Sequence, residues 1–431
     1  MSDTAIASVL GRRVWDSRGR PTVEAEVRLA GGASGRAIAP AGASRGTQEA
    51  VDLRDGGARF GGAGVDAAVA HVNGEIARAL AGRDAREQRA ADAALAALDG
   101  TPNFSRLGGN AAIAASMAVA HAAADAQGLP LHTWLAQGRP VRLPMPEIQV
   151  FGGGAHAGRR VDVQDFMVMP LGARSFDEAL AMTAEVYRAA GALMAEAGKL
   201  AGVADEGGWW PAFDANEEAL DMLVRAIERA GFIPGEDVAI SLDIAASEFG
   251  ANGRYRLALD GRELDSDGLC ELWLRWLERY PIASIEDPLA EDDARAMARF
   301  TAAAGARVQV VGDDFLVTSA RRVASAAAAG ACNALLVKPN QAGTLTGAFD
   351  ALEAARAAGW GTIVSARSGE SEDVTIAHLA VGWDAGQLKV GSFARSERMA
   401  KWNEALRIEE ALGPRARFAG RAPFKTEGRR G

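Results

Sequence analysis

Cysteine is almost missing from this chain. The two present, Cys270 and Cys332, form neither a disulfide framework nor the paired spacing of a zinc site. Their apolar surroundings predict buried, inert thiols. Excess positive charge is lacking too: the formal net charge is −9. That excludes a general nucleic-acid or membrane-surface binder, which needs a positive footprint, but it leaves room for a local cationic site holding a small anion. No uninterrupted apolar stretch approaches the roughly 18 residues of a membrane span. The N-terminal segment carries Arg12, Arg13, Asp16, Arg18 and Arg20 instead of an apolar run. We therefore expect no signal peptide, no membrane segment and a cytoplasmic location.

What the chain has in quantity is apolar residues, at 48%, and glycine, at 50 of 431 positions. Such a chain can bury a large core and turn tightly in many places. Its length suits two domains if one is a large barrel.

The first part reads as a small α+β unit. In "TVEAEVRLA" (22–30), Val23, Ala25, Val27 and Leu29 alternate onto one face of an antiparallel strand, and its neighbours "ASVLGRRVW" and "SGRAIAP" complete a meander. Val65, Val69, Val72, Ile76 and Leu80 then step at helical spacing up to Gly82, and the alanine-rich run from Asn110 to Gln127 predicts a second helix. The three prolines of "GRPVRLPMPE" (138–147) mark a boundary, giving domains 1–138 and 139–431.

Beyond it, eight short apolar runs recur: "EIQVF", "DFMVMP", "VAISLDI", "IASIED", "VQVVGDD", "ALLVK", "GTIVSA" and "GQLKVG". Helical segments separate most of them, two opening on the capping patterns Ser175-x-x-Glu178 and Asp214-x-x-Glu217. Eight strands with helical crossovers predict a (β/α)8-type barrel. The segment between the first two runs is too short for a crossover helix, so those strands should pair antiparallel. Two helices follow in succession, which gives the order ββαα(βα)6.

Charges stand where these strands finish: Asp243, Glu286, Asp313, Lys338, Arg367 and Lys389. Any single strand leaving a core ends on a polar residue. Six consecutive strands ordered acid, acid, acid, Lys, Arg, Lys ask for more, and barrel enzymes keep their chemistry on this face. Three carboxylates without Cys or His suit Mg²⁺ rather than zinc. A lysine with a lowered pKa can act as a base. Metal plus lysine is an arrangement for removing a proton from carbon beside a carboxylate.

The motifs "DSRGRPTVEAEV", "GASRG", "HAG", "ADEGG", "SIEDP", "GDD", "VKPNQ", "ARSGESED" and "RSERMAKWNEALRIEEALG" resemble the enolase family nearly end to end. The resemblance implies a small capping domain on the barrel and a homodimer. It implies that Asp243, Glu286 and Asp313 hold one firmly bound Mg²⁺, while Ser44 helps bring in a second with the substrate. Lys338 would be the carbon base and Lys389 would neutralise the substrate carboxylate. Glu206 would promote loss of the hydroxyl, supported by Asp165 next to the substrate-binding Gln164. His156 would close onto the substrate, although a loop histidine can also be merely solvated. Arg367 and Ser368 would bind its phosphate, since a guanidinium fork matches that group. Trp209 and Trp210 would wall the site or pack in the core.

Departures fall inside this set. Enolases carry histidine where Ala366 stands and glutamate where Asp165 stands. Gly152 and Arg159 replace asparagines, Arg45 follows Ser44, and "KVGSF" replaces "KTGAP". Two enzymatic readings are open: reversible dehydration of 2-phosphoglycerate, or a specialised paralogue acting on a related phosphonate, such as carboxyphosphonoenolpyruvate synthase of phosphinothricin-type biosynthesis. A non-catalytic binding protein is the third, and the intact acids and lysines speak against it.

Overall fold

The computed structural model describes residues 2–43 and 45–424. Position 44, the serine expected at a second metal ion, therefore lies outside the described residues. Strands β1 (Ile6–Trp15), β2 (Pro21–Leu29) and β3 (Ser34–Ile38) form the expected antiparallel meander. The alternating residues Val23, Ala25, Val27 and Leu29 are buried. They face the helix Gly109–Ala126, whose small side chains allow a very close approach. A Cβ at Gly35 would lie 2.2 Å from the Ala122 nitrogen and 2.3 Å from the Ala118 oxygen, so only glycine fits there. The Val65–Leu80 periodicity is helical as expected, running from Asp66 to Leu80 with a wider π turn at Val72–Ile76.

The barrel is built from β4 (Met145–Gly152), β5 (Asp165–Met169) and β6 (Ala239–Asp243). Outside it lies a small three-stranded sheet, β7 (Gly250–Ala251), β8 (Arg254–Leu257) and β9 (Arg262–Asp265). It is completed by β10 (Ile282–Glu286), β11 (Gln309–Gly312), β12 (Ala334–Val337), β13 (Gly361–Ser365) and β14 (Gly386–Ser392). The eight barrel strands close in the order β4, β5, β6, β10, β11, β12, β13, β14. β5 pairs antiparallel with both neighbours, and the other pairs are parallel. Helices Phe176–Glu196 and Asn216–Arg229 lie between β5 and β6. The order is therefore ββαα(βα)6, as expected from the short first connection.

One capping pattern holds and the other shifts. The Ser175 hydroxyl accepts from the Glu178 amide at 3.1 Å. The next helix begins at Asn216 with Ala215 at its cap, and the Asp214 carboxylate pairs with Lys199 at 3.1 Å instead. The register is set by buried Asn216, which exchanges two hydrogen bonds with Asp162 of 2.8 and 2.7 Å. A satisfied buried amide outweighs an exposed cap. Of the two thiols, Cys332 is buried and Cys270 only half-buried. Burial pushes both up, Cys270 to about 11, which disfavours the reactive thiolate; the expected burial holds for Cys332 and only in part for Cys270.

Inside the barrel, below the strand ends, lies a polar layer that alternation alone did not reveal. Buried Glu147 accepts from Ser241 at 3.2 Å and from the Gln387 amide. Gln309 links Gln387 at 2.7 Å to Ser284 at 3.2 Å. Burial pushes the Glu147 carboxyl up to about 7, so its neutral form favours the fold. That stability is fully present below the unfolded value near 4.5 and is lost as pH rises through 7. Glu147→Gln carries no such titration. Its stability relative to the native chain should rise between pH 4.5 and pH 8 by an amount on the order of 3 kcal/mol. Denaturant unfolding at both ends of that window checks this, and an unchanged difference contradicts it.

Candidate active site

The strand ends converge as the sequence order implied. Asp243 and Glu286 are the last residues of β6 and β10, Asp313 and Lys338 directly follow β11 and β12, and Arg367 stands two residues beyond β13. Lys389 differs slightly, because β14 continues through it to Ser392. All six side chains are buried.

Opposite charges meet directly. The Lys389 ammonium lies 2.8 Å from Asp243 Oδ2, 2.7 Å from Glu286 Oε2 and 3.7 Å from Asp165 Oδ2. Lys338 pairs with Asp313 Oδ2, whose other oxygen accepts from Gln341 at 2.8 Å. Gln164 donates to Asp243 Oδ2 at 3.0 Å. Burial alone would lower both lysines. For Lys338 the carboxylate of Asp313 reverses this, and for Lys389 those of Asp243 and Glu286 do, so both stand above their ordinary value. Burial, reinforced by Asp243, drives Glu286 upward. Its Oε1 is buried without a hydrogen-bond partner among the described residues, as is Gln164 Oε1. An all-oxygen set with unsatisfied buried oxygens fits a hard divalent cation.

A second group gathers around His156. Its Nδ1 is 3.0 Å from Asp165 Oδ1, and its Nε2 is 2.9 Å from Ser368 Oγ and 3.6 Å from Glu206 Oε1. The chain Ser368–His156–Asp165 has the spacing of a nucleophile, a base and its orienting acid. Its electrostatics point elsewhere. Burial would lower the imidazole, but Glu206 and Asp165 outweigh it and hold His156 up at about 9. A raised imidazole favours its cationic form, which suits an anionic ligand better than the abstraction of a proton from serine. His156, Asp165 and Glu206 line a small polar cavity together with Lys338, Arg367 and Lys389.

Two family models match almost the whole chain. Enolase, C-terminal TIM barrel domain, matches residues 140–427, and Enolase, N-terminal domain, matches residues 6–135. The chain belongs to the enolase family.

An enolase-family chain is an enzyme of the lyase class, and among the described residues two groups bring ligand atoms close enough to hold a metal ion. Ligand atoms of His156, Asp165 and Glu206 lie within 4.8 Å of one another, and so do those of Asp287, Asp313 and Asp314. In the second, Asp287 is already committed. Its two oxygens accept the backbone amides of Asp313 and Asp314 at 2.9 and 2.7 Å, which fixes the backbone that carries Asp313.

Several site residues escaped the sequence reading. Glu49 of the small domain grips Arg367 with contacts of 2.9 and 3.1 Å. Gln149 donates to Asp165 Oδ1 and accepts from the Gly208 amide at 2.9 Å, which ties that acid to the loop bearing Glu206. Gly152 leaves room for this contact, since a Cβ there would stand 2.6 Å from Ala204 Cβ and 3.2 Å from Gln149 Oε1. Arg398 and Lys401, both fully buried, hold the loop after β13 from behind. Their signal was present in the sequence: cations occupy core-face positions of a stripe that continues through Trp402, Ala405 and Ile408.

Two of the departing residues point outward. Arg159 pairs with Glu248 at 2.7 Å, and Arg45 is half exposed, 3.7 Å from Asp52. Neither lines the cavity. Trp209 stacks on Tyr187 at 4.7 Å and donates to its carbonyl at 2.9 Å. It braces the "ADEGG" loop from the packing side and is not a wall of the site.

Proposed function

We propose that this chain is a Mg²⁺-dependent enolase-type hydro-lyase that reversibly dehydrates 2-phosphoglycerate to phosphoenolpyruvate. The observation that supports it most is the facing of three buried strand-end carboxylates by two buried lysines. Asp243, Glu286 and Asp313 would hold a Mg²⁺ ion, with a second arriving with substrate near Ser44. Bound there, the metal supplies positive charge for the substrate carboxylate as carbanion character develops.

The chain's own groups divide the rest. Lys338 takes the α-proton once its ammonium is free of Asp313 and has lost its own proton. Lys389 offsets the substrate carboxylate, with Gln164 beside it. Glu206 assists departure of the hydroxyl on the other face, supported by Asp165 and the cationic His156. Arg367 and Ser368 receive the phosphate, and Glu49 fixes the guanidinium plane. In this reading the molecule is a cytoplasmic homodimer of a capping domain (1–138) and a catalytic barrel (139–431). None of the described helices is long and apolar enough to cross a membrane.

Ala366 favours a second reading. It lines the cavity where the family carries an imidazole, and Asp165 is one methylene shorter than the family's glutamate. That opens space suited to a bulkier anion that still passes through an enolate, such as a phosphonate.

The deciding experiment is turnover of 2-phosphoglycerate by purified protein with Mg²⁺, followed in the ultraviolet. Asp243→Ala and Glu286→Gln should abolish both turnover and Mg²⁺ binding measured by calorimetry, while the circular dichroism spectrum stays native. Full activity in excess chelator would end the metal-dependent reading.

A further inference from the structure

We propose that Arg398 is a positioning residue that orients the phosphate-binding loop and Glu206 from behind the cavity. This rests on reading Arg367 and Ser368 as the phosphate pair. Helix Ser396–Leu412 presses Arg398 and Lys401 into the core. Burying a cation costs several kcal/mol unless its donors are satisfied, and an apolar side chain would fill the same space without that cost. The partners show what the charge does there.

Arg398 Nη1 donates to the Arg367 carbonyl at 2.7 Å and to the Val390 carbonyl at 2.9 Å, and Nη2 donates to the Ser368 carbonyl. One guanidinium thus fixes the two segments that present Arg367, Ser368 and Lys389. Lys401, one turn on, donates to the Ser371 carbonyl at 2.6 Å and pairs with Glu370 at 2.9 Å. Glu370 in turn accepts the Arg367 amide at 3.0 Å. On its other side Arg398 Nη1 lies 3.9 Å from Glu206 Oε1. Gly391, at φ 110°, makes this approach possible, because a Cβ there would stand 3.0 Å from Arg398 Cδ and 3.1 Å from Glu206 Cβ. Arg398 itself does not line the cavity. It acts on the phosphate through carbonyl orientation and fixed charge.

Lysine at this position keeps the charge but cannot reproduce the planar fork, and methionine loses both. Charge-assisted hydrogen bonds are stronger than neutral ones, so losing part of the fork should be felt at the site. The test uses full-length R398K and R398M, with inorganic phosphate titrated by calorimetry and amide hydrogen exchange followed over residues 366–371. We expect R398K to weaken phosphate binding about 10-fold and R398M about 100-fold. Exchange should accelerate in 366–371 while β1–β3 keeps native protection.

Both readouts are independent of turnover. A native chain that binds phosphate but leaves 2-phosphoglycerate untouched would defeat the proposed reaction without touching this inference. A folded R398K with native phosphate affinity and native loop protection overturns it. So does uniform loss of protection across the chain, which marks a packing role alone, or a native chain that binds no phosphate. Should R398M fail to fold, R398K decides.

Discussion

Lys338→Ala is expected to stop exchange of the substrate α-proton with deuterated solvent, while Glu206→Gln leaves much of that exchange and impairs loss of the hydroxyl. The two groups lie on different parts of the cavity and have different partners. Lys338 stands at the end of β12 with its ammonium on Asp313. Glu206 stands on the loop braced by Gln149 and Trp209, near His156 and Arg398. A single positioned acid or base contributes about 10²–10⁴-fold. Alanine at 338 should therefore remove at least that factor from overall turnover, and exchange should fall by the same factor. Glutamine at 206 should lower turnover by a similar factor with a far smaller effect on exchange. Equal loss of exchange in the two variants would show that the roles are wrongly divided. Arg398→Lys belongs in the same series: as a positioning residue it should raise KM for substrate more than it lowers exchange.

The contrast between what was legible and what was not follows from range. A strand run such as "ALLVK" announces itself because burial on both faces demands an unbroken apolar stretch, and the first charge after it marks the barrel mouth. The ββαα start was legible for a similar reason, since a connection too short for a helix leaves only antiparallel pairing. Pairing across the fold carries no such local mark. Nothing near Arg367 in sequence points to Glu49, 318 residues away. Glu147 reads as part of a proline-rich junction, and only barrel closure places it beside Ser241 and Gln387. Nor does anything near Arg159 point to its partner Glu248, 89 residues on. Asp214 lost its cap to buried Asn216, again through a partner remote in sequence, Asp162.

The double change Asp165→Glu with Ala366→His separates the two enzymatic readings most sharply. Asp165 Oδ1 accepts from both Gln149 and His156, while its Oδ2 stands 3.7 Å from Lys389. One more methylene carries this carboxylate further toward the imidazole and the ammonium. Ala366 is buried at the cavity wall, with its amide on the Lys389 carbonyl at 2.9 Å. An imidazole there enters the space beside Arg367 and offers a hydrogen bond to a bound anion. If the chain is an ordinary hydratase that tolerates the departures, turnover of 2-phosphoglycerate should hold or rise. If the site is shaped for a bulkier phosphonate, the native chain should start from a low hydratase rate. A geometric correction near 1 Å is worth on the order of 10²-fold, so the double variant should gain about that much hydratase activity and lose its native reaction to the filled space. Steady-state kinetics on both proteins with 2-phosphoglycerate decides between these outcomes. High native turnover that the double change leaves untouched excludes the specialised enzyme. A low native rate that the double change fails to raise removes both departures as the determinants of specificity.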